Sequence, residues 1–86
     1  AIIISNPKVN KTKDVIVAQI TSSIKNDEFS FMLHDKIVTY PLKRDCEIRC
    51  HKLFTAEKSI ITKKISTLKA DQRENLYKKV ISFLDL

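Results

Sequence analysis

Glycine is absent from the chain, and so is tryptophan. Without glycine, tight turns must use the other residues that tolerate left-handed backbone, asparagine and aspartate. Asn6, Asn10, Asn26, Asp27, Asp35 and Asp45 lie between apolar runs and suit that role. Aromatic residues are few, at 7%. No apolar run approaches the roughly 20 residues of a membrane span and no signal peptide is visible, so no membrane partner is expected. Cysteine occurs only twice, too sparsely for a disulfide-framed domain.

What is present suits one small domain. The 86 residues lie near the lower end of the size that one core supports, and 43% are hydrophobic, so neither a metal nor a disulfide is needed to fold. A partner subunit would cover the edges of so small a sheet. The net charge of +6 suits a polyanionic partner, nucleic acid or an acidic protein, and equally a lysine-rich surface kept for solubility, and charge alone does not separate the two. The chain starts at Ala1, without Met, inside an apolar run. A domain rarely begins within a core element, so a longer parent chain is expected.

The most informative stretch is EIRCHKLF, Glu47 to Phe54. As a strand it places Cys46, Ile48 and Cys50 on an apolar face. Glu47, Arg49 and His51 fall on the other, roughly 6.6 Å apart at about 3.3 Å per residue. A carboxylate, a fixed cation and an imidazole together can hold a phosphate and move a proton. The plainer alternative is a Glu47–Arg49 ion pair on a solvated strand, with His51 a surface residue. Cys46 and Cys50, four apart on one strand, have Cα atoms about 13 Å apart, beyond the roughly 4.4–6.8 Å of a disulfide. They read as core thiols of a reducing cytoplasm, with no metal between them.

Around that strand the pattern is mainly β. Ala1–Ser5 reads as a strand buried on both faces, stopped by Asn6-Pro7, and Lys8–Lys13 as a polar loop. Asp14–Ser22 is a strand with Ile16, Ala18 and Ile20 in the core; Val15, Val17, Gln19 and Thr21 share its other face, which turns polar at Gln19 and Thr21. After the loop Ser22–Asp27, Glu28–His34 is a strand with Phe29, Phe31 and Leu33 on its apolar face, and His34 a surface residue. In Asp35–Asp45, Ile37, Val38 and Tyr40 suit packing and Pro41 ends any strand. Thr55–Ser59 reads as a turn and Ile60–Ile65 as a short strand. From about Ala70 the spacing becomes helical, with a stripe of Leu76, Tyr77, Val80, Phe83 and Leu84, and Asp71 in the first turn to complement the dipole. The expected architecture is a small barrel or twisted antiparallel sheet, closed by a C-terminal helix.

The combination of AIIISN, DVIVAQITSSI, EIRCHKLFTAEKSII and a terminal helix resembles the PemK/MazF family, the endoribonuclease toxins of bacterial toxin–antitoxin pairs. The resemblance implies an SH3-like barrel that inhibits growth by cleaving single-stranded RNA at short motifs, without metal or cofactor, as a cytoplasmic homodimer. It also implies an antitoxin whose disordered tail wraps the toxin, with operator DNA bound only through that complex. By position, Thr21 matches a threonine at the end of the family's second strand. Arg49 matches an arginine that is general acid and phosphate ligand in some members, and His51 falls where some place an aspartate base. Members usually carry an Arg-Pro just before the equivalent of Ala1–Ser5, that arginine being catalytic in several, and a preceding hairpin. Both would lie upstream of Ala1, which makes Arg49, His51 and Thr21 part of a site.

RNA cleavage without a metal requires a base for the ribose 2′-hydroxyl, a cation for the phosphate and an acid for the leaving oxygen. An imidazole titrates near neutrality and suits the first; a guanidinium suits the second through bidentate bonds. Glu47 and Gln19 are supporting candidates, Glu47 either holding Arg49 or acting as a base. Lys52, Lys25 and Lys11 are candidate contacts to the RNA backbone, with a solvated charge as the default for each. Two other readings stay open: a non-catalytic nucleic-acid- or antitoxin-binding module on the same barrel, and a purely structural barrel.

Overall fold

The structure, a computed structural model, describes residues 1–85. Its elements are β1 (Ile2–Ile3), α1 (Pro7–Asn10), β2 (Asp14–Thr21), β3 (Ser30–Leu33), β4 (Cys46–Glu57), a 3-10 turn (Lys58–Ile60) and α2 (Ala70–Ile81). The four strands form one antiparallel sheet in the order β1-β2-β4-β3, curled into a half-barrel, and α2 packs against β4. The mainly β architecture with a C-terminal helix is the one the sequence pattern predicts.

The core lies between the concave face of the sheet and α2. Ala18 of β2, Leu33 of β3, Ile48 and Cys50 of β4, and Leu76 and Val80 of α2 meet there, joined by Ile37, Val38 and Leu68. Leu76 and Val80, four apart, form the inward stripe of α2. Tyr77 lies beside that stripe and is partly exposed. The helix ends at Ile81, so Leu84 falls outside it and is exposed, while Phe83 packs on the core edge.

Several local features differ from the sequence expectation. Only Ile2–Ile3 of the first apolar run pairs in the sheet, and as an edge strand it leaves Ile3 44% exposed instead of buried on both faces. The ladder is cut short because Ser5 turns its hydroxyl into it, accepting the Ile16 amide at 3.0 Å. Where a loop is expected, Asn6 caps α1: its side chain accepts from the amides of Lys8 and Val9, and Pro7 occupies the first turn. On β2, Val15 and Val17 are buried as well as Ala18. Thr55–Glu57 continues β4 instead of turning. Ile60–Ile65 forms no strand: Lys58–Ile60 is a 3-10 turn, no residue of the segment pairs in the sheet, and Ile60 and Ile65 are exposed. Tyr40 is exposed rather than packed, although Val38, two residues earlier, bridges Leu68.

Candidate active site

The register of the sheet brings most of the candidate residues to one face. Gln19 pairs with Arg49 and Thr21 with Glu47 across β2 and β4, while Ser30 of β3 pairs with Arg49 from the other side. Residues directly opposite each other share a face, so Gln19, Thr21, Ser30, Glu47 and Arg49 lie together on the side away from the core. The register then jumps, from Arg49↔Gln19 to Leu53↔Ala18, so that Cys50, His51 and Lys52 have no partner on β2. This bulge reverses the alternation of β4. Ile48 and Cys50 face the core, and beyond the bulge Leu53 does. His51 and Lys52 stand exposed on the bulge.

Glu47 and Arg49 are buried, at 0% and 7% exposure, rather than solvated. The loop from β2 to β3 covers them. Glu47 Oε1 accepts the amides of Lys25 and Asn26 at 2.8 and 3.0 Å, and Oε2 accepts the Ser30 hydroxyl at 2.6 Å and Arg49 Nη1 at 2.5 Å. Arg49 also grips Asp27 with two prongs, Nη1 to Oδ1 at 2.9 Å and Nη2 to Oδ2 at 3.0 Å. Asn26, at the tip of this loop, has a left-handed φ of 49°, the conformation that asparagine supplies in a chain without glycine.

The electrostatics follow from those bonds. The Arg49 guanidinium holds the Asp27 carboxyl at a pKa of about 2, against a smaller opposing effect of burial. For Glu47, burial disfavours the charge, but the Asn26 amide, Ser30, Arg49 and the Lys25 amide together outweigh it and lower the pKa to about 2. Asp27 and then Glu47 raise the Arg49 pKa above its ordinary value, burial opposing. A carboxylate so firmly ionised and fully bonded is a poor proton acceptor, so Glu47 is suited to holding Arg49 and not to acting as a base.

His51 lies over Phe29, ring centroids 4.1 Å apart and planes tilted by 32°. Thr21 is half-buried; its hydroxyl oxygen accepts the Ser23 amide at 3.0 Å, which leaves its hydrogen free to donate. Gln19 is exposed. Lys25 presents its side chain from the covering loop. Lys11 is remote from these groups: it lines a cleft of about 460 Å³ with Lys13, Glu57 and Lys58, at the end of the β2–β4 ladder where Asp14 meets Glu57. Both cysteines are free; Cys50 is buried and burial pushes its thiol up. Among the described residues no three His, Cys, Asp or Glu side chains come together as a metal site, and no helix is long and apolar enough to cross a membrane.

Three residues of this region carry no functional role in the sequence reading: Asp27, Phe29 and Ser30. The Asp27-x-x-Ser30 spacing is a turn signature, and it does form a side-chain-bonded turn, with Asp27 Oδ1 accepting the Phe29 amide at 3.0 Å. Its approach to Arg49, more than twenty residues along the chain, depends on the β3–β4 register.

A curled antiparallel half-barrel closed by one helix, with polar residues gathered on its outer face, describes a class of small barrel proteins. Residues 1–84 match the model of the PemK-like, MazF-like toxins of type II toxin–antitoxin systems, and the chain belongs to that family. The fold is similar to a crystal structure of an Mtb toxin, with a TM-score of 0.80 at 18% identity, over 95% of this chain and 88% of that one. It is also similar to the Mycobacterium tuberculosis toxin MazF-mt6, with a TM-score of 0.79 at 20% identity, over 98% and 85%. Among curated proteins, none matches the sequence.

Proposed function

We propose that the chain is the toxin of a toxin–antitoxin pair that cleaves single-stranded RNA without a metal ion. The observation that carries this reading is the exposed His51, raised on the β4 bulge beside the face that holds Thr21, Gln19 and Arg49. His51 takes the proton from a ribose 2′-hydroxyl, the 2′-oxygen attacks the adjacent phosphorus, and the 5′-oxygen leaves. Thr21 donates its free hydroxyl hydrogen to a phosphate oxygen, and Gln19 supports it from the same strand. Arg49 steadies the charge on phosphate by exchanging the carboxylate of Asp27, which is 42% exposed, for two phosphate oxygens of the same spacing. Glu47, fully enclosed, keeps its hold on Arg49 throughout. Because Asp27 and Glu47 raise the guanidinium pKa, a water is the better immediate proton source for the leaving oxygen. Lys52 and Lys25 contact the RNA backbone near His51, and Lys11 a more distant part of it. The toxin acts as a cytoplasmic homodimer, meets operator DNA only through its antitoxin, and uses no cofactor.

A second reading is a non-catalytic module that binds nucleic acid or antitoxin through the same barrel. The full engagement of Arg49 by two carboxylates favours it, since a paired guanidinium is a structural tie. Incubation of the full-length protein with single-stranded RNA in EDTA separates the two. Cleavage at a short motif, lost in Arg49→Ala and His51→Ala with the fold intact, supports the nuclease. Unimpaired cleavage by Arg49→Ala overturns the assigned site, and RNA binding without cleavage by the wild type establishes the module.

A further inference from the structure

A general base needs a fixed orientation as well as a suitable pKa, and in most sites a hydrogen-bonding carboxylate or carbonyl supplies it. Among the described residues no group hydrogen-bonds the His51 imidazole. What touches it is the ring of Phe29, 4.1 Å between centroids. Phe29 is itself fastened at both backbone atoms. Its amide donates to Asp27 Oδ1 at 3.0 Å, and its carbonyl accepts the amide of Cys50, the residue before His51, at 2.9 Å. Its ring is backed by Phe83 beyond the end of α2, with centroids 5.0 Å apart, and the Arg49 guanidinium carbon lies 6.0 Å from its centroid.

We infer that Phe29 is a positioning residue for His51. Packed against a ring whose backbone is bonded to its own neighbour, the imidazole is held in one orientation. The β4 bulge would otherwise leave this side chain free to rotate, because no β2 residue lies opposite it. Phe29 thus does through ring contact what an acidic partner does elsewhere, and its ring lies beside the Arg49 head, 6.0 Å from centroid to guanidinium carbon. Phe83 extends the support to the C-terminal segment, so the docking of α2 reaches the imidazole through two rings. The inference rests on the reading of His51 as the base.

The test uses the full-length protein and a single-stranded RNA that the wild type cleaves, with Phe29→Leu, Phe29→Met, Phe29→Tyr and His51→Ala compared for kcat, KM and thermal midpoint. The His51 ring protons are followed by NMR. Phe29→Leu and Phe29→Met are expected to lower kcat about tenfold, with KM nearly unchanged, as the base loses alignment. Phe29→Tyr, which keeps the ring, should restore most of that loss. The aromatic ring-current shift of the His51 protons should be present in the wild type and Phe29→Tyr and absent in the two aliphatic variants. If either aliphatic variant folds, loses the shift and keeps wild-type kcat, the positioning role is overturned while the nuclease reading stands. If His51→Ala cleaves as well as the wild type, the assignment of the base fails and this inference with it. Should Phe29→Leu not fold, Phe29→Met, whose unbranched chain adapts to irregular space, decides.

Discussion

Arg49 Nη1 lies 2.5 Å from Glu47 Oε2, although the two residues are neighbours on one face of a single strand. The i, i+2 spacing of β4 aims both side chains the same way, and the covering loop closes over them. Neither charge has a water-filled alternative: Glu47 is wholly enclosed and Arg49 nearly so. The pair is therefore the post to which the β2–β3 loop is tied, through the amides of Lys25 and Asn26 and the side chains of Asp27 and Ser30.

Removing the Glu47 carboxylate should be the most disruptive polar substitution in the molecule. Glu47→Ala leaves two loop amides and part of a buried guanidinium without an acceptor, and breaking a buried pair from one side costs far more than losing an exposed one. Thermal midpoints should fall in the order Glu47→Ala, then Asp27→Ala, then Glu74→Ala. The last partner in that series sits in an exposed i, i+4 contact with Lys78 at 3.8 Å. A Glu47→Ala midpoint equal to that of Glu74→Ala would show that the loop is held by something else.

Acid should release the same tie. Asp27 and Glu47 both fall to about 2 in the folded protein, from ordinary values of 3.8 and 4.5. A depressed folded pKa adds stability above the unfolded value and loses it as pH drops through the folded one. Urea midpoints should decline from about the ordinary carboxylate range down to pH 2. In Glu47→Gln the decline should be shallower, because one of the two protons has been built in. Equal slopes in the two proteins would rule out Glu47 as a source of the acid sensitivity.

Much of this architecture was legible beforehand. The period-two pattern locates β2 and β4, and the spacing of Leu76 and Val80 locates α2, since in each case burial of one face dictates the pattern. The face of Glu47, Arg49 and His51 follows from alternation up to Arg49. Beyond it, the three-residue jump in register is invisible without knowing what β4 pairs with, and so is the reversal that sends Leu53 inward. The burial of Arg49 is not legible in that alternation, because its partner Asp27 belongs to a loop brought over it only by tertiary folding. Asn6 and Pro7 carried a helix-start signal that their position after an apolar run disguised. Ile60–Ile65 has strand composition, but composition does not say which strand a segment pairs with, and this one pairs with none.

Salt dependence should sort the lysines by position. Each phosphate neutralised on a single strand contributes about 0.7 to the slope of log affinity against log salt. Lys52→Ala and Lys25→Ala should each reduce that slope by about 0.7 for any RNA that reaches His51. Lys11 stands near the Asp14 end of β2, and Asp14 is itself five residues, roughly 17 Å, from Gln19 along the strand. Lys11→Ala should reduce the slope only for RNAs long enough to span that distance. Binding isotherms from 50 to 300 mM salt (about a sixfold range) with a short and a long RNA measure both effects. Identical slopes for wild type and Lys52→Ala on both RNAs would remove Lys52 from the interface.

The helix contributes through very few side chains, and this makes its role measurable. Only Leu76 and Val80 of α2 are buried, and Leu76 is fully enclosed among the residues of the core. Leu76→Ala should cost about 2–5 kcal/mol, the range for emptying a leucine-sized space in a packed core. In a domain of this size that corresponds to a drop in thermal midpoint on the order of 10 °C or more. The same substitution also loosens the segment that carries Phe83, which backs Phe29 beneath His51. RNA cleavage by Leu76→Ala should therefore decline well below its own melting temperature, before the sheet unfolds. Cleavage that tracks the folded fraction at every temperature would show that α2 stabilises the sheet without steering the imidazole.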